Sequence, residues 1–157
     1  METIEHIEQA QKIWWQFTQS DKAFEDLTED DFDLKGLTLT EIKTRIQQYG
    51  KLLVDAHSDA TGKDMIVSAT DTGCFHCLRL FNGQRGVDEQ SLSYRSLLCD
   101  HCGVDGLVSL DHLPDDTDVR EAFVEDMEDI WFESTQHGAG QPKRQYSVER
   151  IRQYLVK

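Results

Sequence analysis

The chain's four cysteines fall into two close pairs, Cys74-Phe-His-Cys77 and Cys99-Asp-His-Cys102, with 21 residues between them. A Cys-x-x-Cys turn can present two thiolates to one ion while its backbone N–H groups point at the sulfurs. Two such turns supply a complete tetrahedron, the closed shell of a structural zinc site. The separation is close to the roughly 15–20 residues usual between the pairs of a zinc ribbon. Gly103 directly follows the second pair and suits the left-handed backbone that a knuckle needs. Cys74, Cys77, Cys99 and Cys102 are therefore expected to hold one structural zinc ion. Two competing readings fit less well. A redox dithiol needs one pair at a helix N-terminus in a βαβ setting, and a second matched pair would be superfluous. Placing His76 or His101 in the metal shell would displace a thiolate from a set that is already full. Both histidines are expected to be spacers facing solvent.

A shell of four thiolates leaves no coordination position for water or substrate, so the metal should act as a staple and not as a Lewis acid. Structural zinc binds finger peptides with about 10–16 kcal/mol, comparable to the about 5–15 kcal/mol stability of a whole domain. Residues from about 70 to 110 should then depend on it to fold. Little else points to catalysis. The sequence holds no Gly-rich phosphate loop, zincin helix or nucleophile elbow. Asp55, His57 and Asp59 form a local acid-His-acid cluster that could orient a general base. In so acidic a chain it reads more simply as a surface histidine with a raised pKa. Asp111-His112 is a weaker candidate of the same kind. Trp14, Trp15 and Trp131 stand at helical spacing with no basic groove beside them, and read as packing residues more than as a platform for bases.

Around the cysteines the chain resembles a family of small bacterial proteins described only as cytoplasmic proteins. Gly73-Cys-Phe-His-Cys77 matches the family's Gly-Cys-Phe-x-Cys element. Cys99-Asp-His-Cys-Gly-Val-Asp-Gly-Leu107 is similar to its second knuckle, with Asp100 in place of Pro and Gly106 in place of Ser. Ala56-His57 and Trp131-Phe132 resemble further elements, so the likeness spans about residues 54 to 133. It implies a small zinc-ribbon-like unit and no particular activity.

The elements that must position these residues are legible from periodicity. Ile7, Ala10, Ile13, Trp14 and Phe17 share one face of a helix over residues 4–17, opposite Glu5, Glu8, Gln9, Lys12 and Gln16. An acidic, partly helical connection follows from Asp21 to Asp33. Thr38 and Glu41 have capping-box spacing ahead of Leu39, Ile42, Ile46, Tyr49 and Leu53, with Gly50 either interrupting or weakening that helix. Residues 65–70 read equally as a strand or a helix end. Short strands are expected over 78–81, 92–98 and 104–110, with turn signals at Asn82-Gly83 and Gly86. Asp118 and Glu121 have the spacing of a second capping box. Val119, Ala122, Phe123, Met127, Ile130 and Trp131 line one face of that helix, with Phe123, Met127, Ile130 and Trp131 expected to be buried, and Glu121, Glu125, Glu128 and Asp129 should stay in water. Residues 147–157 read as a short final helix.

Composition sets the remaining bounds. The chain has 157 residues, with 16 Lys+Arg against 30 Asp+Glu for a formal charge of −14, and is 38% hydrophobic. This composition fits one soluble unit with a real core. No apolar run approaches the roughly 18 residues of a membrane span. The acidic start, Met-Glu-Thr-Ile-Glu-His, is not a secretion signal. With two cysteine pairs in no disulfide framework, the expected compartment is the cytoplasm. Net acidity disfavours nucleic acid as a partner. Residues 111–133 hold ten acids and one base, Arg120, whereas residues 143–157 hold five bases and one acid, Glu149.

The expected architecture is α+β, a single compact unit over 1–157 with helices packed around a zinc-ribbon-like module of two Cys-x-x-Cys knuckles. Within it, 1–60 is a helical part, 65–133 the ribbon plus an acidic helix, and 143–157 a basic helix. The expected function is non-enzymatic: a zinc-stapled cytosolic protein whose acidic face binds a basic protein, such as the toxin domain that an immunity protein or antitoxin neutralises. The alternative is a zinc-ribbon nucleic-acid or transcription factor using Lys143, Arg144, Arg150 and Arg152. The acidic face could also simply receive the chain's own C-terminal helix.

Overall fold

Apolar residues every three to four positions form helices only where the stripe finds something to cover it. In the computed structural model, which describes residues 6–20, 22–60, 69–82, 98–103 and 106–131, three such stripes cover one another. Helix α1 (Ile7–Ser20) and helix α2 (Leu39–Ala60) pack together, and both pack against helix α3 (Thr117–Trp131). Ile7, Ala10, Ile13, Trp14 and Phe17 are buried, as their spacing predicts. So are Ile42, Ile46, Tyr49 and Leu53 of α2. The capping box at the start of α2 forms, with Glu41 N–H donating to Thr38 Oγ1 at 3.2 Å and Thr38 N–H donating to Glu41 Oε1 at 3.4 Å. Gly50 does not interrupt the helix, which runs unbroken through it on a buried face. Packing on that face offsets a propensity cost of about 1 kcal/mol.

A run of edge-to-face rings joins the helices. Trp14 meets Phe17 at 5.9 Å and Tyr49 at 5.6 Å, Tyr49 meets Phe123 at 6.4 Å, and Phe123 meets His112 at 5.6 Å. Such contacts add about 0.5–1.5 kcal/mol each beyond the area they bury. The Tyr49 hydroxyl lies in the same junction. It donates to Asp126 Oδ2 at 2.6 Å and accepts from Gln11 Nε2 at 3.2 Å, while Gln11 also reaches the Val119 carbonyl at 2.9 Å. One polar knot thus ties all three helices in register.

The sheet is small. Strands β1 (Thr72–Cys74), β2 (Leu80–Phe81) and β3 (Leu107–Ser109) form an antiparallel sheet in the order β2-β1-β3. Thr72 pairs with Phe81 on one side and with Ser109 on the other, and Cys74 pairs with Leu107. Carboxylates fasten it to α3. Asp111 accepts the N–H groups of Thr70 and Asp71 at 2.7 and 2.8 Å. The Asp71 carboxylate takes Arg120 Nη1 at 2.8 Å, and Arg120 Nε donates to the Pro114 carbonyl at 3.1 Å.

Several expectations are corrected. The strand over 78–81 shrinks to two residues because Leu78 has a positive φ of 65°. The strand over 104–110 is confined to Leu107–Ser109 among the described residues. Helix α3 starts one residue before Asp118, and Asp116 caps it instead, accepting from Asp118 N–H at 2.9 Å and Val119 N–H at 3.2 Å. Glu128, expected in water, is fully buried, as is most of Asp126. The reason is geometric. Helices on one side and the sheet on the other cover α3, leaving only Asp118, Glu121 and Glu125 as its exposed acidic residues, with Asp129 half-buried. Phe123, Met127 and Ile130 are buried as expected. Residues 65–68, the strand over 92–97, the Trp131 side chain and the helix over 147–157 lie outside the described residues.

Two measurements check this packing. A Cβ on Gly73 would stand 2.9 Å from Val124 Cγ1 and 3.2 Å from Leu110 Cδ1. Valine is stiff at χ1 and cannot swing away. Gly73→Ala should therefore lower unfolding stability by about 1–3 kcal/mol in urea titration. His112 has its pKa lowered to about 4, chiefly by burial, with Arg120 acting in the same direction and Asp111 against it. In the unfolded chain the ring takes up a proton near pH 6.5. The unfolded state therefore binds more protons between about pH 6.5 and pH 4, so stability is full above that window and falls as pH drops through it. His112→Gln should show a shallower loss of stability across that window than the parent.

Candidate metal centre

Each knuckle is built by local hydrogen bonds. After Cys74 the chain turns so that Leu78 N–H donates to the Cys74 carbonyl at 2.8 Å, and after Cys99 the Gly103 N–H donates to the Cys99 carbonyl at 2.8 Å. The two closing residues both adopt left-handed backbone, Leu78 with φ 65° and Gly103 with φ 76°. Glycine does this without strain, whereas for leucine the conformation is unfavourable. The Leu78 side chain packs against the main core, which holds it there. The two knuckles are thus geometrically equivalent although only one carries the glycine.

The sheet brings the knuckles together. Cys74 ends the central strand, its N–H donates to the Arg79 carbonyl, and Phe75 N–H donates to the Gly106 carbonyl, both at 2.9 Å. Gly106 fits against the site because a Cβ there would lie 3.3 Å from Cys74 Sγ and from the His76 nitrogen. Leu107 and Phe81 wall the sulfurs on the protein side.

The result is four sulfurs that all lie within 4.8 Å of one another. Cys74 Sγ is 3.6 Å from Cys102 Sγ, Cys77 Sγ is 3.9 Å from Cys99 Sγ, and no disulfide joins any of the four. A tetrahedral ion with bonds of about 2.3 Å places its sulfurs about 3.8 Å apart. The set therefore fits a metal ion, and it does not fit disulfides, whose sulfurs stand about 2.05 Å apart. Backbone N–H groups from His76 and Cys77 point at Cys74, and those of His101 and Cys102 point at Cys99, with His101 N–H at 3.4 Å. Burial outweighs these donors. It pushes the Cys74 thiol far above its usual range and the Cys99 thiol up to about 11. Four thiolates this close can be charged together only around a cation.

The other candidates separate in the structure. His101 is exposed as expected, but His76 is half-buried, with Nδ1 shielded from solvent. Asp55 pairs with Lys51 at 2.7 Å, one turn back on α2. His57 is half-buried, its ring 6.3 Å from Phe75, and is not the surface histidine that the sequence predicts. The Asp59 side chain lies outside the described residues. The Asp111 carboxylate, beside His112 in sequence, is engaged by the backbone of residues 70 and 71. Trp14 is core, whereas Trp15 is 51% exposed. Sequence reasoning missed the roles of Leu78 and Gly106. The signal for Leu78 was its position directly after the first Cys-x-x-Cys, the place that Gly103 fills after the second.

Compared with known proteins, the chain matches no family model, no curated protein and no solved structure. Among the described residues, no helix is long and apolar enough to cross a membrane.

Metal analysis of protein purified without chelators should find one divalent ion per chain. Replacing Cys74 by Ser should lower that content sharply and expose the sheet half to amide exchange. Because the thiols hold their protons tightly, each binding event must release protons, so metal affinity should fall as pH falls from 8 to 6.

Proposed function

We propose that this chain is a non-enzymatic binding protein, stapled by one structural zinc ion, that presents carboxylates to a basic protein partner. The zinc assignment rests on the four-sulfur set, since soft thiolates in a closed tetrahedron suit zinc and leave no position for a reacting molecule. The partner assignment rests on one observation: α3 is covered on its other sides and exposes a narrow stripe of Asp118, Glu121 and Glu125. A net charge of −14 adds a long-range negative potential around such a stripe and steers cationic proteins toward the chain. Neutralising a cationic toxin domain is the form of this function that best suits so acidic a small chain.

The zinc-loaded protein should capture a recurrent basic protein from a native lysate. Association should slow markedly as ionic strength rises past about 0.15 M, where the Debye length is about 8 Å. Reversing Asp118, Glu121 and Glu125 together to Lys should weaken binding with the fold intact. Recovery of nucleic acid in place of a protein would favour the alternative reading through Lys143, Arg144, Arg150 and Arg152. Salt-independent association would contradict the acidic interface.

A further inference from the structure

Charge stripes steer partners, but binding energy concentrates on aromatic anchors, tryptophan foremost. Among the described residues the one large apolar side chain left exposed is Trp15, on the outer face of α1. It lines a surface groove with Gln19, Asp30, Asp31, Phe32 and Asp33, where the Glu29–Asp31 turn lies beside the end of α1. Phe32 is buried beneath and joins the turn to the core.

The charges of this groove are unevenly matched. Asp31 is held by Lys22 at 2.7 Å and by Thr28 N–H at 2.8 Å, and its carboxyl lies below the usual range, mainly because of Lys22. Asp30 and Asp33 are exposed, and neither carboxylate has an ion-pair partner among the described residues. Residues 24–33 carry six carboxylates and no base. An exposed indole beside two unanswered carboxylates is complementary to a flat cation. Guanidinium stacks on an indole face while its edge donates to carboxylates, and it is less strongly hydrated than ammonium.

We propose that this groove receives an arginine side chain of a basic protein partner, stacked on Trp15 and paired with Asp30 and Asp33. The inference rests on the basic-partner reading above and adds the anchor point, which is separate from the α3 stripe.

The test uses the zinc-loaded full chain and a dye-labelled peptide, Gly-Arg-Gly-Arg-Gly-Arg-Gly, followed by fluorescence anisotropy at 50 mM salt. Trp15→Ala should weaken peptide binding about tenfold or more, and Trp15→Phe should retain part of it. Asp30→Asn with Asp33→Asn should weaken binding and flatten its salt dependence. The citrulline peptide, which keeps the shape without the charge, should not bind. Because Trp15 is exposed, the melting temperature of Trp15→Ala should match that of the parent. Lys reversal of the α3 stripe should slow association while leaving dissociation unchanged.

If Trp15→Ala binds like the parent while the α3 reversal abolishes binding, the anchor is wrong and the acidic-partner reading survives. If no arginine peptide binds, the groove inference fails, and lysate capture then decides the partner reading separately. If exchanging Lys143, Arg144, Arg150, Arg152 and Lys157 for Gln shifts the Trp15 indole resonance and tightens the peptide, the chain's own end occupies the groove. That result would overturn the proposal of an external partner.

Discussion

Four sulfur atoms that all lie within 4.8 Å of one another are the constraint on which the sheet half of this protein is arranged. Like charges at that distance repel strongly in a buried setting, and thiols there keep their protons. A cation reverses the balance and turns repulsion into cohesion. The strands are too short to stand alone, since a three-residue strand and a two-residue strand offer few ladder bonds. What fixes them is attachment: the sulfurs at one end, and the Asp111 and Asp71–Arg120 contacts at the other.

Helix α3 links this half to the helices. Val124 presses on Gly73, one residue from Cys74 of the sulfur cluster, and Asp126 on the same helix receives the Tyr49 hydroxyl. A change in the sulfur cluster therefore has a short route through packed atoms to the α1–α2 interface. The same enclosure explains the helix's buried carboxylates. An acidic residue on a helix covered from several directions cannot always find water, and Asp126 finds a phenol instead.

Much of this was legible in the residues, for definite reasons. The four cysteines announce themselves because few other chemistries use two Cys-x-x-Cys pairs. The buried faces of α1 and α2 follow from period alone, and Thr38 and Glu41 cap as their spacing predicts. Glu128 and His57 depart from the rule that polar side chains face water. That rule fails where a third layer covers a helix, which one-dimensional periodicity does not report. Leu78 was hidden for a different reason. Its backbone is dictated by the turn and its side chain by the core, and the two demands conflict. Periodicity and composition place a helix start within Pro114–Asp118, but Asp115, Asp116 and Asp118 all offer capping chemistry within four residues, and Asp116 is the one that caps.

The local closure of each knuckle has a consequence for how this sequence can vary. Leu78 N–H closes on the Cys74 carbonyl and Gly103 N–H on the Cys99 carbonyl, so each turn closes on the residue that directly follows its own second cysteine. For a longer chain between two such turns the added cost is mainly the entropy of closing a loop. That entropy grows only logarithmically, by about 0.6 kcal/mol for each doubling of a flexible loop. Insertions between the knuckles that leave Leu78 to Phe81 in place should accordingly be tolerated far better than a one-residue change inside either Cys-x-x-Cys turn. Relatives of this chain would then differ most in the length of that connection, while both knuckles keep their spacing.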